Sequence, residues 1–171
     1  MVDRDLSKVP ATELQRLIYL TPFFYGPRRN LTLEDPVYLV NTTINLSCGK
    51  VSIGRGTFCG HNVCILTGSH DLDLPGRPRA VQGRDIVIGR NVWLCSNATI
   101  LGPSKVGDNC VIAAGAVVAP RTECEPGWIY AGVPAKKLRP AIEVRADNGI
   151  GPLLLMDLRS KKEKRKDKKN R

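Results

Sequence analysis

Side chains able to do chemistry are few among these 171 residues, and their spacing limits what they can do. There are two histidines, His61 and His70, and six cysteines, Cys48, Cys59, Cys64, Cys95, Cys110 and Cys124. The cysteines form no C-x-x-C pair and no Cys/His set at zinc-finger intervals, so no metal site is expected. An imidazole ordinarily titrates near about 6.5, which suits it to taking and returning a proton at neutral pH. His61 lies in CGHN beside Asn62 and reads as a solvated turn histidine. His70 ends TGSH, directly before DLDLPGRPRAVQGRDIV, whose Pro, Gly and Arg content marks a loop. Proton transfer at a loop mouth is the chemistry open to His70, against the competing reading of an exposed loop histidine.

The elements that position His70 follow a period of six. From Ile88 to Glu123 the chain divides into IGRNVW, LCSNAT, ILGPSK, VGDNCV, IAAGAV and VAPRTE. Column one holds Ile88, Leu94, Ile100, Val106, Ile112 and Val118, and column five holds Val92, Ala98, Ser104, Cys110, Ala116 and Thr122. This period is neither helical nor simply alternating; it fits a short strand of inward and outward residues closed by a tight turn. Asn91, Asn97 and Asn109 share column four, where Asn tolerates positive φ, and Gly89 and Gly107 share column two. Three such strands make a triangular coil of about 18 residues, stacked on the next through backbone hydrogen bonds about 4.8 Å apart.

The same phase appears in IGRGTF, CGHNVC and ILTGSH, from Ile53, Cys59 and Ile65, and lapses after His70. The expected fold is therefore all-β, a parallel β-helix over residues 36–139 with an excursion loop at 71–87. Residues 36–52 read as a first, irregular coil. Residues 1–35 read as a lead-in whose segment 11–20 (ATELQRLIYL) forms a short capping helix, and residues 140–171 as a C-terminal extension ending in a disordered basic tail.

A hydrophobic content of 42% with 5% aromatics suits one domain whose core is built from small and β-branched side chains. No apolar run approaches the roughly 18 residues of a membrane span, and MVDRDLSKVPATELQ lacks the blocks of a signal peptide. A cytoplasmic location is expected, which leaves the sequons at Asn30, Asn41, Asn45 and Asn97 without weight and makes the cysteines core filler. The net charge is +10, but residues 159–171 (RSKKEKRKDKKNR) hold nine Lys/Arg against two Asp/Glu, leaving +3 for the rest. Such a tail reads as a solvated extension; contact with nucleic acid or an acidic partner is the less favoured alternative.

Four segments carry a family resemblance: TGSH before the loop, IGRNVW directly after it, IAAGAVV in the last regular coil and AGVPAKKLR at the end. Between Asn41 and Arg139 the chain resembles the hexapeptide-repeat O-acetyltransferases, the group of the galactoside and maltose acetyltransferases. The resemblance implies a left-handed β-helix and a homotrimer with active sites between subunits. It also implies transfer of acetyl from the cosubstrate acetyl-CoA, with no metal, to a hydroxyl of a small acceptor, in this family a sugar. Under it His70 is the general base, since a sugar hydroxyl is a poor nucleophile at neutral pH. Asn45, in TINLS, and Trp93 fall near the acceptor, against the readings of a turn asparagine and an interface aromatic. For CoA it implies backbone groups around Ser96 and Ala114 along the pantetheine arm, the Ser96 amide at the thioester oxyanion, and Lys136 and Arg139 near the phosphates. The chain departs from the family after AAGAVV, where Ala119-Pro120 replaces a common Thr-Lys; Arg121 is the residue placed to take over that charge.

Two histidines do not supply the three that a γ-class carbonic anhydrase needs for zinc, and the second catalytic histidine and helical N-terminal domain of serine acetyltransferases are not seen. An antibiotic (xenobiotic) acetyltransferase is chemically close. The rival of a different class is a non-catalytic solenoid scaffold.

Overall fold

A computed structural model describes residues 10, 12, 20–70, 74–78 and 83–141. These residues belong to one compact unit, Met1–Ala141. They form three five-stranded sheets. Sheet A holds β1 (Phe23–Tyr25), β3 (Thr43–Asn45), β6 (Cys64–Leu66), β9 (Thr99–Leu101) and β12 (Val117–Val118). Sheet B holds β2 (Leu31–Leu33), β4 (Val51–Ile53), β7 (Ile86–Ile88), β10 (Ser104–Val106) and β13 (Thr122–Cys124). Sheet C holds β5 (Phe58–Cys59), β8 (Trp93–Leu94), β11 (Val111–Ile112), β14 (Trp128–Ala131) and β15 (Lys136–Pro140). Neighbours pair in parallel except β15, which folds back antiparallel on β14. The chain winds A to B to C and round again, as a parallel β-helix.

The register states the repeat directly. Thr99 pairs with Val117, Ser104 with Thr122 and Trp93 with Val111, each an offset of 18. Cys64 pairs with Thr99, Val51 with Ile86 and Phe58 with Trp93, each an offset of 35, which is one coil plus a 17-residue excursion. Column one is in the core throughout, from Ile88 at 2% exposure to Leu94, Ile100, Ile112 and Val118 at 0%. Column four is the left-handed position expected for it: Asn62, Asn91, Asn97 and Asn109 have φ between 53° and 61°. Column two is glycine at one corner because coils touch there. A Cβ on Gly54 would lie 2.6 Å from the Gly89 carbonyl carbon, and one on Gly107 would lie 2.6 Å from the Pro126 nitrogen.

Two boundaries differ from those expected. The irregular first coil begins at Phe23, because β1 and β2, inside the expected lead-in, already pair with β3 and β4. The excursion ends at Asp85, because Ile86 and Ile88 both point inward, at 0% and 2% exposure, and β7 starts two residues early. The helix expected at 11–20 lies mostly outside the described residues, with Thr12 and Leu20 helical where it is described. The basic tail lies outside them altogether.

The cysteines are built into this packing. Cys48, Cys59, Cys110 and Cys124 are buried, and none of the six is paired in a disulfide. Burial pushes the Cys59 and Cys95 thiols up to about 11 and the Cys124 thiol up to about 12. Column five has one flaw, since the Ser104 hydroxyl is buried with no hydrogen-bond partner among the described residues.

Two outcomes are expected. In urea unfolding, Ile100→Ala costs about 2–5 kcal/mol for its lost methyl groups and cavity, whereas Ser104→Ala, which places in column five the residue already at Ala98 and Ala116, gains about 1 kcal/mol. At pH 8 the raised thiols hold about a hundredfold less thiolate than an ordinary cysteine, and Cys124 about a thousandfold less, so iodoacetamide leaves Cys59, Cys95 and Cys124 unlabelled until the protein is unfolded, as read by peptide mass spectrometry.

Candidate active site

The triangular section has three corners, and they are built differently. At the AB corner, between sheets A and B, a regular coil turns through Gly102 and Pro103 alone. The preceding coils place far more there: Gly26–Asn30 between β1 and β2, Leu46–Lys50 between β3 and β4, and 67–85 between β6 and β7. His70 and Asn45 both stand at this corner, in adjacent coils.

The enlarged corner is stitched by hydrogen bonds. Buried Thr67 donates its hydroxyl to the Asn45 carbonyl (2.8 Å) and accepts from the Cys48 amide (3.2 Å). Arg84 closes the base of the loop, its Nε donating to the Thr67 carbonyl at 3.0 Å and its amide to the Cys48 carbonyl at 3.3 Å. Asp85 accepts from the Lys50 amide through Oδ1 at 2.7 Å. Asn45 Oδ1 accepts from both the amide and the hydroxyl of Ser47, at 2.9 and 2.6 Å. This fixes the orientation of the Asn45 amide, and its Nδ2 lies so close over Gly68 that a Cβ there would come within 2.5 Å. Nδ2 has no acceptor among the described residues, and so it remains a donor at the corner.

The His70 ring is anchored from the loop. Its Nδ1 lies 2.7 Å from the Arg77 carbonyl oxygen. A carbonyl only accepts, so Nδ1 carries a proton, and in the neutral ring the lone pair is on Nε2. The Arg77 carbonyl is held by a tight turn in which the Arg77 amide donates to the Leu74 carbonyl at 3.1 Å, with Pro75 and Gly76 at its centre. Gly76 has φ +73°, the conformation a Pro-Gly turn requires of its second central residue. This arrangement is that of a ring positioned to accept a proton at Nε2. The Pro-Gly pair was the sequence signal for the turn, but the carbonyl it aims leaves no mark on side-chain identity.

The other sequence-predicted residues lie elsewhere. Ser96 and Ala114 occupy the CA corner in successive coils, linked by the Gly115 amide donating to the Ser96 carbonyl at 3.0 Å. The Ser96 amide has no partner among the described residues. Lower on the same corner the Ala135 amide bonds the Val117 carbonyl, and Lys136, next in the chain, pairs with Ala131 of β14. Lys136 and Arg139 are both exposed, on β15. Trp93 is on the outer face of sheet C, 45% exposed and stacked on Phe58 at 5.6 Å. Arg121 is at the AB corner two coils below His70, in the left-handed region at φ +64°, lining a hollow with Asp85, Lys105 and Glu123. His61 is an exposed turn residue whose amide donates to Ser96 Oγ at 3.2 Å.

The family model for the bacterial transferase hexapeptide (six repeats) matches residues 85–120. The galactoside O-acetyltransferase of Escherichia coli strain K12 is 32% identical over 152 residues, covering 76% of this chain and 70% of that protein. The chain belongs to the hexapeptide-repeat acetyltransferases. Two solved members of the family have the same fold. A hexapeptide-repeat acetyltransferase of Vibrio cholerae O1 biovar eltor, solved with acetyl-CoA, superposes with a TM-score of 0.64 at 24% identity over 76% of this chain and 75% of its own. A galactoside acetyltransferase solved with coenzyme A gives 0.63 at 25% identity, over 76% of this chain and 63% of its own. The coil is accordingly the left-handed β-helix of this family. The chain spans 36–62% of the length of four further curated relatives. No helix among the described residues is long and apolar enough to cross a membrane.

Nitrogen NMR of the histidine-labelled protein should find neutral His70 protonated at Nδ1. Gly76→Ala meets no steric obstacle but strains the turn by about 1 kcal/mol, and is expected to move the His70 ring shifts toward those of exposed His61. Unchanged shifts in the variant would show that the turn does not hold the ring.

Proposed function

We propose that this chain transfers an acetyl group from acetyl-CoA to a hydroxyl of a small acceptor, a sugar, with His70 as general base. The observation that carries this is the Nδ1 anchor on the Arg77 carbonyl, which leaves Nε2 to accept the hydroxyl proton. As the acceptor oxygen attacks the thioester carbonyl, His70 Nε2 takes its proton and the carbonyl oxygen becomes an oxyanion facing the Ser96 amide. Collapse breaks the carbon–sulfur bond, and the imidazolium returns its proton to the CoA thiolate. Asn45 Nδ2 supports a hydroxyl of the acceptor beside His70.

The same reading gives CoA the line from Ser96 past Ala114 to Lys136 and Arg139, where bare backbone accommodates the pantetheine arm and the cations meet the phosphates. Of the basic residues on β15, Lys137 is already engaged with Glu125 at 2.6 Å and over the Trp128 ring at 3.7 Å, which leaves Lys136 and Arg139 for this task. His70 and Ser96 stand on two corners with the width of sheet A, three residues or roughly 10 Å, between them. One thioester carbon cannot lie against both in a single chain. A homotrimer that sets the AB corner of one subunit against the CA corner of the next removes the difficulty, brings Trp93 to the groove from the neighbour and leaves Arg121 on the groove wall below His70. A cytoplasmic setting, where acetyl-CoA is available, completes the reading.

Thiol release from acetyl-CoA over a panel of sugars tests it. His70→Ala is expected to lower kcat/KM at least a hundredfold, about 2.7 kcal/mol of barrier. Equal rates would remove His70 from the mechanism.

A further inference from the structure

The three corners differ in charge as well as in length. Among the described residues, the CA turns between β5 and β6, β8 and β9, and β11 and β12 carry no Asp, Glu, Lys or Arg, being built from residues such as Asn62, Asn97 and Gly115. At the BC corner acids and bases alternate, and one ion pair joins them. Glu34 meets Arg90 at 3.0 Å, and the Arg90 amide bonds Asp108 at 2.8 Å. The Arg90 guanidinium and the Arg55 amide hold the Glu34 carboxyl below its ordinary range. At the AB corner the cations Arg28, Arg29, Lys50, Arg77 and Arg84 have no carboxylate partner among the described residues. Over 71–85 the sequence holds Arg77, Arg79 and Arg84 against Asp71, Asp73 and Asp85, so its own charges cancel and the surplus comes from the two coils before it.

These cations are fastened to the segment that orients Asn45. Gly26 packs so tightly on Leu46 that a Cβ would lie 2.9 Å from its carbonyl carbon, and Asn30 Nδ2 donates to the Leu46 carbonyl at 3.1 Å. The Arg28–Asn30 turn therefore rests on Leu46–Ser47, and Ser47 holds the Asn45 side chain. Arg28 is itself ordered, its guanidinium 3.5 Å above the Phe24 ring. Every residue allotted to CoA lies C-terminal to His70, so the phosphates of CoA account for none of the charge on the N-terminal side. Resting on the acetyltransferase reading, we propose that the acceptor is anionic. It is a sugar bearing a phosphate or a carboxylate, whose charged group is held by Arg28, Arg29 and Lys50 while its hydroxyl meets His70.

Cations at an exposed corner act over a Debye length of about 8–10 Å and are screened by salt, which gives the test two readouts. Galactose, galactose 1-phosphate and galacturonate are compared as acceptors and as competitors, at 20 and 300 mM NaCl. One or both anions should exceed galactose in kcat/KM by about tenfold or more at low salt, and the two arms distinguish phosphate from carboxylate. The double variant Arg28→Gln/Arg29→Gln should reduce the anion-to-neutral ratio about tenfold, a ratio that general damage to the fold does not move. If galactose is acetylated and neither anion is preferred, or if the ratio survives the double variant, the anionic acceptor is wrong while the acetyltransferase reading stands. If acetyl-CoA is not turned over with any acceptor, both fall.

Discussion

Stacking of one coil on the next governs this molecule. Strands inside each sheet pair their backbone with the coil on either side, so all coils must keep one register. A residue inserted in a strand would turn each following inward side chain to the outside. Surplus chain can leave only at a corner. Here the insertions fall at one corner in three successive coils, and the other two corners stay tight. A repeat that tolerates no change along its faces has concentrated its variation where a site can be built.

That constraint explains what the sequence made legible. Column one and column five are read directly because a buried, periodic position admits few residue types, and column four because left-handed φ favours asparagine. The break after His70 is visible because the repeat on either side is regular. β1 and β2 were hidden by the same logic, since the five-residue corner between them destroys the phase that would have announced them. The irregularity expected over residues 36–52 is a corner insertion of the same kind, directly after β3. The early return at Ile86 was masked because Asp85-Ile86-Val87-Ile88 supplies an inward residue at two positions rather than one.

Site geometry was legible only in part. Sequence phase placed His70 at a break, but not its ring, which a backbone carbonyl orients and no side chain betrays. Nor does a linear sequence say which corner a residue occupies. Ser96 and His70 both neighbour sheet A, yet from opposite sides, and Arg121 shares the corner of His70 rather than that of Ala114. Columns alone treat all three corners as equivalent; the sheets separate them.

The inequality of the corners bears on how such a fold can be a catalyst. In the proposed mechanism a general base needs freedom to be moved into position, and the enlarged AB corner has chain for that, with Thr67, Arg84 and Asp85 fixing the base of the loop. In the proposed mechanism an oxyanion donor needs the reverse, a backbone amide held by rigid neighbours, and the tight turn at Ser96 is of that kind. One corner cannot serve both demands, since residues inserted to carry a base would loosen the amides, and amides left bare require that none be inserted. On the acetyltransferase reading, the two kinds of corner have to meet across subunits. Association then belongs to the chemistry itself, because a rigid sheet keeps each chain's own base away from its own oxyanion donor.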